Sequence, residues 1–228
     1  MIKVVLFDID NTILSFDAQE ESSLKKSFKH FSLGEISSSM IEEYDLINNK
    51  YWEKYERGEI KKDKVLIERF KEFFSNHNIT CDPVAFNKYY EDHLADTIVF
   101  NDNAFELLQY LKSKVKIYAV TNGSIDVQTK KLNKSKLVKV FDDVFISDVM
   151  KVQKPNVRFF NYLYKRIEKV EKNEILIVGD SLSSDMLLGI NAGIKTCWYN
   201  PKNKNNSLHL KLDYQITSLM QVIDIVNE

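Results

Sequence analysis

Five short runs of β-branched and aromatic residues, each bounded by turn-forming residues, constrain the fold of this chain more than any other feature. Segments with the apolar spacing of amphipathic helices separate most of these runs. Continuous apolar strands that alternate with helices are typical of a parallel sheet covered on both faces. The sequence therefore predicts an α/β fold with a parallel sheet core. The predicted strands are Val4–Phe7, Val115–Val120, Val144–Ile146, Ile175–Val178 and Thr196–Tyr199.

The pentapeptide Asp8-Ile9-Asp10-Asn11-Thr12 follows directly after the first predicted strand. Two carboxylates placed side by side at the end of a buried strand repel each other by roughly 4 kcal/mol at a near-surface effective dielectric. A protein tolerates such a pair where it binds a cation or uses one carboxylate as a nucleophile. Taken alone, the stretch is equally consistent with a strand that ends in an Asp-rich turn, with Asn11 and Thr12 capping the next segment.

Polar residues also follow two other predicted strands. Thr121-Asn122-Gly123 comes after the second strand, and Gly179-Asp180-Ser181 comes after the fourth. In open α/β sheets, ligands bind outside the carboxyl ends of the strands. We therefore expect Asp8, Asp10 and these two segments, which are far apart in the sequence, to converge at one edge of the sheet.

A long helical stretch separates the first predicted strand from the second. Residues 16–95 contain no convincing strand, and two runs within them have the i, i+3, i+4 spacing of amphipathic helices. These runs are Met40, Tyr44, Ile47, Tyr51 and Tyr55, and then Leu66, Phe70, Phe73 and Phe74. We interpret residues 16–95 as a helical domain inserted into a core that consists of residues 1–15 and 96–228.

Composition and charge exclude several classes of partner. The chain has 228 residues, is 44% apolar and 29% charged, and carries a formal net charge of −1, as in an ordinary soluble globular protein. This balance provides no general attraction to nucleic acid or to an anionic membrane, and no apolar run approaches the length of a membrane span. Cys81 and Cys197 lie far apart and are expected to be buried free thiols in a reducing cytoplasm. We therefore expect a cytoplasmic protein without a nucleic-acid or membrane partner.

Four elements in a fixed order resemble the motifs of the haloacid-dehalogenase superfamily of phosphotransferases, and the resemblance covers nearly the whole chain. They are Asp8-x-Asp10-x-Thr12, Thr121-Asn122-Gly123, Lys154-Pro155-Asn156 and Gly179-Asp180-Ser181-x-x-x-Asp185. Each element alone has a simpler interpretation as a turn, a solvated lysine or an acidic first turn of a helix. Their joint occurrence favours the superfamily. The resemblance implies a Rossmann-like core with a helical cap inserted after the first strand.

The resemblance also implies a set of catalytic roles. A phosphate monoester is a dianion, so attack by a carboxylate requires positive charge nearby. Asp8 is expected to attack phosphorus and form an aspartyl-phosphate, while Asp10 protonates the leaving oxygen and later deprotonates water. Mg²⁺ prefers oxygen ligands, and the expected ligands are Asp8, Asp180 and the backbone carbonyl of Asp10. Asp185 is expected either to contact the groups around the metal and complete the metal site, or to hold Lys154.

A cradle for the transferring phosphoryl group is expected at the end of the second strand. Thr121 and the backbone N–H groups of Asn122 and Gly123 are suited to binding its oxygens. Lys154 is expected to place a positive charge on the same group and on Asp8.

The residues around the second aspartate narrow the reaction class. Dehalogenases of the superfamily lack an acid two residues after the nucleophile, so Asp10 favours phosphate chemistry. Phosphoglucomutases of the superfamily typically carry Gly-Val after the second aspartate, whereas Asn11-Thr12 stands here, which favours a phosphatase. Residues 47–60, and residues 179–185 with 189–201, further resemble bacterial pyrimidine 5′-nucleotidases.

These resemblances predict a Mg²⁺-dependent phosphomonoesterase that acts on nucleoside 5′-monophosphates. A sugar-phosphate or other small-metabolite phosphatase with the same residues is the alternative enzyme, and a non-catalytic phosphoryl-binding regulatory domain is the alternative from another class. A nucleobase binds well to an aromatic face, for which Phe16 and Trp52 are candidates, while Tyr51 and Tyr55 are expected to pack inside the helical domain. The base, the sugar and the choice between monomer and dimer stay open.

Overall fold

The computed structural model describes all residues, 1–228, and contains one six-stranded sheet and ten α-helices. The strands are β1 (Val4–Phe7), β2 (Lys116–Thr121), β3 (Asp143–Ile146), β4 (Ile175–Gly179), β5 (Lys195–Tyr199) and β6 (Tyr214–Ile216). The helices are α1 (Phe16–His30), α2 (Ser38–Glu56), α3 (Lys62–Asn76), α4 (Pro83–Leu94), α5 (Ala104–Leu111), α6 (Ile125–Lys134), α7 (Ser147–Met150), α8 (Val157–Tyr164), α9 (Leu187–Ala192) and α10 (Val222–Asn227). The prediction of an α/β fold with a parallel sheet is confirmed. None of the helices combines the length and the apolar character that crossing a bilayer requires.

The strand order places the polar motifs next to one another. All strands are parallel, and the order across the sheet is β3-β2-β1-β4-β5-β6. Strand β1 is central, and its last residue, Phe7, lies opposite Ala119 of β2 and Val178 of β4. The chain runs from β1 through β2 to β3 on one side of β1 and then crosses to β4 on the other side. Ligands of such sheets bind at this reversal point.

The sheet is buried on both faces, which explains why its strands are continuous apolar runs. Along β1, Val5 and Phe7 belong to one hydrophobic cluster, whereas Val4 and Leu6 belong to a second cluster on the opposite face. All four side chains are completely inaccessible to solvent. The strand ends are therefore fixed by packing on two sides, which gives the residues that follow them well-defined positions.

The chain divides into two compact units, Met1–Phe16 with Ile98–Glu228, and Asp17–Thr97. The first unit contains the sheet. The second is helical, and its core is rich in aromatic side chains, including a stacked pair of Tyr44 and Phe70 with ring centroids 5.1 Å apart. Tyr55 is buried as expected, whereas Tyr51 is only half-buried, and its hydroxyl group donates a hydrogen bond to Glu72.

The helical unit also buries a polar network. The guanidinium group of Arg69 donates to the Oδ1 atom of Asn48 over 2.6 Å, and the amide of Asn48 donates to Glu20 over 3.0 Å. The hydroxyl group of Tyr90 donates to the same Glu20 oxygen. Burial, with a smaller contribution from Asp45, raises the pKa of Glu20 to about 8 although Arg69 opposes the shift. The folded unit therefore favours the protonated form of this carboxyl group.

Both cysteines are free thiols. Cys197 is buried in β5, but the expectation of burial is wrong for Cys81, which is half-buried. Cys81 lies in the connection between α3 and α4, directly before Asp82, whose side chain caps α4. A position in a connecting segment leaves its side chain partly in contact with solvent.

Candidate active site

Lys154 joins two of the carboxylates predicted from the sequence. Its ammonium group donates to Asp8 Oδ1 and to Asp185 Oδ1 over 2.6 Å each, and to the backbone carbonyl oxygen of Val120 over 3.0 Å. An ammonium group has three protons, so these three acceptors saturate it. Burial alone would lower the pKa of Lys154, but the neighbouring Asp185 and Asp8 outweigh burial and raise it. The lysine is therefore a fixed positive charge between two acids.

Asp8, Asp180 and Asp185 form a compact carboxylate cluster at the ends of β1 and β4. One oxygen of each lies within 4.8 Å of the others. Burial raises the pKa of Asp8 well above its usual range, with Lys154 opposing the shift and Asp185 adding to it. Loss of hydration and the charge of Asp185 likewise raise the pKa of Asp180 to about 7. Three carboxylates share one lysine, so the cluster holds an excess of negative charge that a divalent cation with a preference for oxygen ligands would balance.

Asp185 is held by the turn that follows β4. Residues Leu182–Met186 form a single turn of π-helix before α9, and the backbone N–H of Ser181 donates to Asp185 Oδ2. Gly179 allows this approach, since a Cβ atom at that position would lie 2.2 Å from Asp185 Oδ2. Single π-helical turns occur frequently at functional sites. The other carboxylate oxygen of Asp185, Oδ1, accepts the hydrogen bond from Lys154.

The Thr121-Asn122-Gly123 segment lies at the end of β2, beside β1. The side-chain amide of Asn122 donates to the backbone oxygen of Lys154, and its Oδ1 atom accepts from the backbone N–H of the same lysine, both over 2.9 Å. Asn122 thus fixes the backbone that carries Lys154. The backbone N–H of Gly123, which the sequence assigns to phosphate, donates to Thr121 Oγ1 over 3.0 Å.

Asp10 is held by two residues that the sequence analysis does not identify. Gln128 Nε2 donates to Asp10 Oδ2 and Lys131 Nζ donates to Asp10 Oδ1, each over 2.6 Å. The side chain of Asp10 is thus engaged by α6 and is not among the clustered carboxylates, while its backbone carbonyl remains the predicted metal ligand. Their spacing gives a weak signal, because it places Gln128 and Lys131 on the same helix face as the buried Val127 and Leu132, but it does not indicate Asp10 as their partner.

The two aromatic candidates lie in different units. Phe16 is half-buried at the start of α1, where its backbone N–H donates to Asn11 Oδ1 over 2.9 Å. The ammonium group of Lys131 lies 4.8 Å from the centre of the Phe16 ring, a cation–π distance. Trp52 is half-buried in α2 of the helical unit, where its ring meets the ring of Tyr55 edge to face. Phe16 is therefore linked to Asp10 through Lys131, whereas Trp52 has its contacts within the helical unit.

Comparison with known proteins gives a consistent result over the whole chain. The family model described as "Haloacid dehalogenase-like hydrolase" matches residues 5–199. YfnB of Bacillus subtilis, described as a HAD-hydrolase, is 33% identical over 99% of this chain and 95% of its own length. The crystal structure of YfnB bound to magnesium superimposes with a TM-score of 0.94, and the match covers 100% of this chain and 99% of that one.

Two further relatives have names that specify a reaction. The pyrimidine 5′-nucleotidase PynA of Streptococcus pneumoniae is 33% identical over 99% of this chain and 95% of its own length. The pyrimidine 5′-nucleotidase YjjG of Escherichia coli is 28% identical over 96% of this chain and 95% of its own length.

Proposed function

Because the chain belongs to the family of haloacid dehalogenase-like hydrolases, we propose that it hydrolyses phosphate monoesters through a covalent intermediate on Asp8. The observation that carries this proposal is that the two neighbouring aspartates have different partners. Asp8 is paired with Lys154 within the carboxylate cluster, whereas Asp10 is paired with Lys131 and Gln128. Two carboxyl groups in different environments suit two different chemical tasks.

The proposed reaction has two steps. In the first, a carboxylate oxygen of Asp8 attacks phosphorus, the bond from phosphorus to the ester oxygen breaks, and Asp10 gives its proton to that oxygen. In the second, Asp10 takes a proton from water as the water oxygen attacks phosphorus, and the bond from phosphorus to Asp8 breaks. Phosphate leaves, and both aspartates return to their starting states.

The carboxylate cluster fits a resident Mg²⁺, which Asp8, Asp180 and the backbone carbonyl of Asp10 would hold. When bound, the ion would neutralise negative charge on Asp8 and on the phosphate oxygens. The fit rests on the donor set, which consists of hard oxygen ligands with an excess of negative charge. The magnesium-bound form of YfnB supports the same choice of ion. Asp185 then serves to keep Lys154 in place.

Lys154 and Thr121 have different roles in this scheme. Lys154 has all three protons engaged, so it acts through its charge on Asp8 and on the adjacent phosphoryl group. Thr121 Oγ1 accepts a hydrogen bond from Gly123, which leaves its hydroxyl proton to donate to a phosphate oxygen. The backbone N–H of Asn122 would complete the cradle.

We further propose nucleoside 5′-monophosphates as the substrate class, with residues 16–95 as the cap that selects the leaving group. The names of PynA and YjjG support this choice. An aromatic face stacks on any nucleobase with a contribution of roughly 1–3 kcal/mol. Phe16 is the first candidate for that face because Lys131 links it to Asp10, and Trp52 is the second.

A substrate panel with matched variants tests the proposal. Phosphate release is measured with Mg²⁺ on pyrimidine and purine nucleoside monophosphates, sugar phosphates and p-nitrophenyl phosphate. We expect nucleotides to have the highest kcat/KM, and Phe16→Ala to raise KM for nucleotides but not for sugar phosphates, which have no aromatic ring to stack on Phe16. Phe105→Ala on α5, where Phe105 is 38% exposed, is the control. Faster hydrolysis of sugar phosphates would favour the alternative enzyme, and no release from any ester would favour the non-catalytic phosphoryl-binding domain.

A further inference from the structure

Gln128 and Lys131 are buried polar residues to which the reaction scheme gives no role. They lie one turn apart on α6 (Ile125–Lys134), and their exposed fractions are 1% and 0%. Each donates to a different oxygen of Asp10, over 2.6 Å in both cases. A lysine is almost never fully buried unless it is paired, and Asp10 is the carboxylate that forms the ion pair with Lys131. Both side chains therefore end on the group proposed as the acid and base.

The same helix face is coupled to the phosphate cradle. Helix α6 begins two residues after Gly123, and a Cβ atom at Gly123 would lie 2.2 Å from Gln128 Nε2. That nitrogen is also the atom that donates to Asp10 Oδ2. One amide group thus lies between the backbone of the cradle and the carboxyl group of Asp10.

Asp10 fixes the orientation of this amide group. Gln128 Oε1 is buried and has no hydrogen-bond partner, while Nε2 faces Asp10. Rotating the amide by half a turn would bring its oxygen against the carboxylate and leave the donor without a partner. Lys131 is fixed in a comparable way, since its ammonium group lies over the ring of Phe16 as well as against Asp10. Neither side chain can move without breaking its contact with the carboxyl group.

We propose that Gln128 and Lys131 are positioning residues that orient the carboxyl group of Asp10 towards the leaving oxygen of a phosphate ester bound in the Thr121–Gly123 cradle. The inference rests on the proposed function. A proton passes from Asp10 to the leaving oxygen as the ester bond breaks, and this transfer requires hydrogen-bond reach and alignment. A carboxyl group held at both oxygens has little freedom to rotate, so it keeps that alignment. The carboxylate that remains still has Lys131 beside it.

The test compares two esters of similar shape whose leaving groups differ in their need for a proton. Phenyl phosphate releases a basic phenolate that requires protonation, whereas p-nitrophenyl phosphate releases a stable anion. The variants are Gln128→Met and Lys131→Met, which keep an unbranched side chain and remove the donor. Methionine matches glutamine in length and is one atom shorter than lysine. Lys134→Met on the exposed face of the same helix is the control, and Asp10→Asn is the benchmark.

The readout is the ratio of kcat/KM for phenyl phosphate to kcat/KM for p-nitrophenyl phosphate, measured with Mg²⁺. This ratio does not depend on the folded fraction, because both esters are assayed on the same preparation. We expect Gln128→Met and Lys131→Met each to lower it about tenfold or more, within the roughly 10²–10⁴-fold contribution of general acid catalysis. The loss should appear in kcat for phenyl phosphate, and Lys134→Met should leave the ratio at the wild-type value.

The Asp10→Asn variant distinguishes failure of the positioning role from failure of the proposed function. If Asp10→Asn lowers the ratio while Gln128→Met and Lys131→Met reduce both esters equally or not at all, the two residues have no positioning role and the proposed function stands. If the wild-type protein releases no phosphate from either ester, or if Asp10→Asn leaves the ratio unchanged, the proposed function fails and the inference fails with it.

Discussion

Replacing Asp8 with asparagine tests the electrostatics of the carboxylate cluster. Oxygens of Asp8, Asp180 and Asp185 lie within 4.8 Å of one another, so each charged pair repels by at least about 3 kcal/mol at an effective dielectric of about 20. Asp8 takes part in two such pairs. Its attraction to Lys154 at 2.6 Å is worth about 6 kcal/mol on the same scale. These contributions nearly cancel, so the cost of removing water from the buried carboxylate decides the sign.

We therefore expect Asp8→Asn to raise the free energy of unfolding by roughly 1–3 kcal/mol when divalent metal is absent. The amide keeps the shape of the side chain, and its oxygen can still accept a hydrogen bond from Lys154. With Mg²⁺ the order of the two stabilities should reverse. A ligand that binds only the folded state adds stability that grows with the logarithm of its affinity, and the variant has lost a charged ligand group for the ion. The wild-type protein should then be the more stable of the two.

The assay is urea unfolding at neutral pH, followed by circular dichroism, in EDTA and in Mg²⁺. Asp63→Asn, which removes an exposed carboxylate from the first turn of α3, is the control and should change the stability by less than about 0.5 kcal/mol. An Asp8→Asn variant that is less stable than the wild-type protein in EDTA would refute the electrostatic reasoning, and an unchanged order in Mg²⁺ would argue against Asp8 as a metal ligand.

Three further predictions concern the buried carboxyl group of the helical unit, the close approach at Gly179 and the metal. Burial raises the pKa of Glu20 from its ordinary value of 4.5 to about 8. The protonated carboxyl group therefore contributes its full stability below pH 4.5, and the free energy of unfolding falls by roughly 1 kcal/mol per pH unit as the pH rises from there to about 8. Glu20→Gln, which imitates the protonated form, should remove this slope from unfolding curves recorded between pH 5 and 8. Gly179→Ala should lower the free energy of unfolding by roughly 1–3 kcal/mol and impair turnover, because the added methyl group would lie 2.2 Å from the buried carboxylate of Asp185. The control is Gly193→Ala, whose methyl group would meet nothing within 4 Å although the φ of Gly193 is +71°. It should cost about 1 kcal/mol of stability and leave kcat unchanged. Chelation with EDTA should abolish phosphate release, Mg²⁺ should restore it, and Ca²⁺ should support little turnover because of its larger and looser coordination shell; full activity after exhaustive chelation would exclude a metal role for Asp180.

The strands next to the site could be predicted because burial on both faces makes each a continuous apolar run. Strand β1 has the predicted bounds, Val4–Phe7, and β4 extends the predicted run by one residue. Strand β6 could not be predicted. It has three residues, its central residue Gln215 is exposed, and it pairs on one side only, with β5, so neither a period nor an apolar run marks it.

The candidate site follows the same logic. Asp8, Thr121 and Asp180 lie at the carboxyl ends of parallel strands. Their positions directly after predicted strands are therefore enough to predict that they converge. Lys131 and Gln128 are different, because the stretch from 128 to 134 is mostly polar and resembles a solvated helix face. Their burial depends on Asp10, which is 121 and 118 positions away in the sequence. A partner at that separation is set by tertiary packing, and local pattern carries no information about it.

The most direct test of the central claim is to find the phosphoryl group on Asp8. The Asp10→Asn variant lacks the base for the second step, so it should retain the covalent intermediate, while p-nitrophenyl phosphate still reacts in the first step because its leaving group needs no proton. The variant is mixed with this ester and Mg²⁺, quenched in acid, digested and analysed by mass spectrometry. We predict one burst of p-nitrophenol per chain and a matching gain of one phosphoryl group on the peptide at Asp8. A burst with Asp8 unmodified, or a phosphoryl group on another residue, would contradict the account.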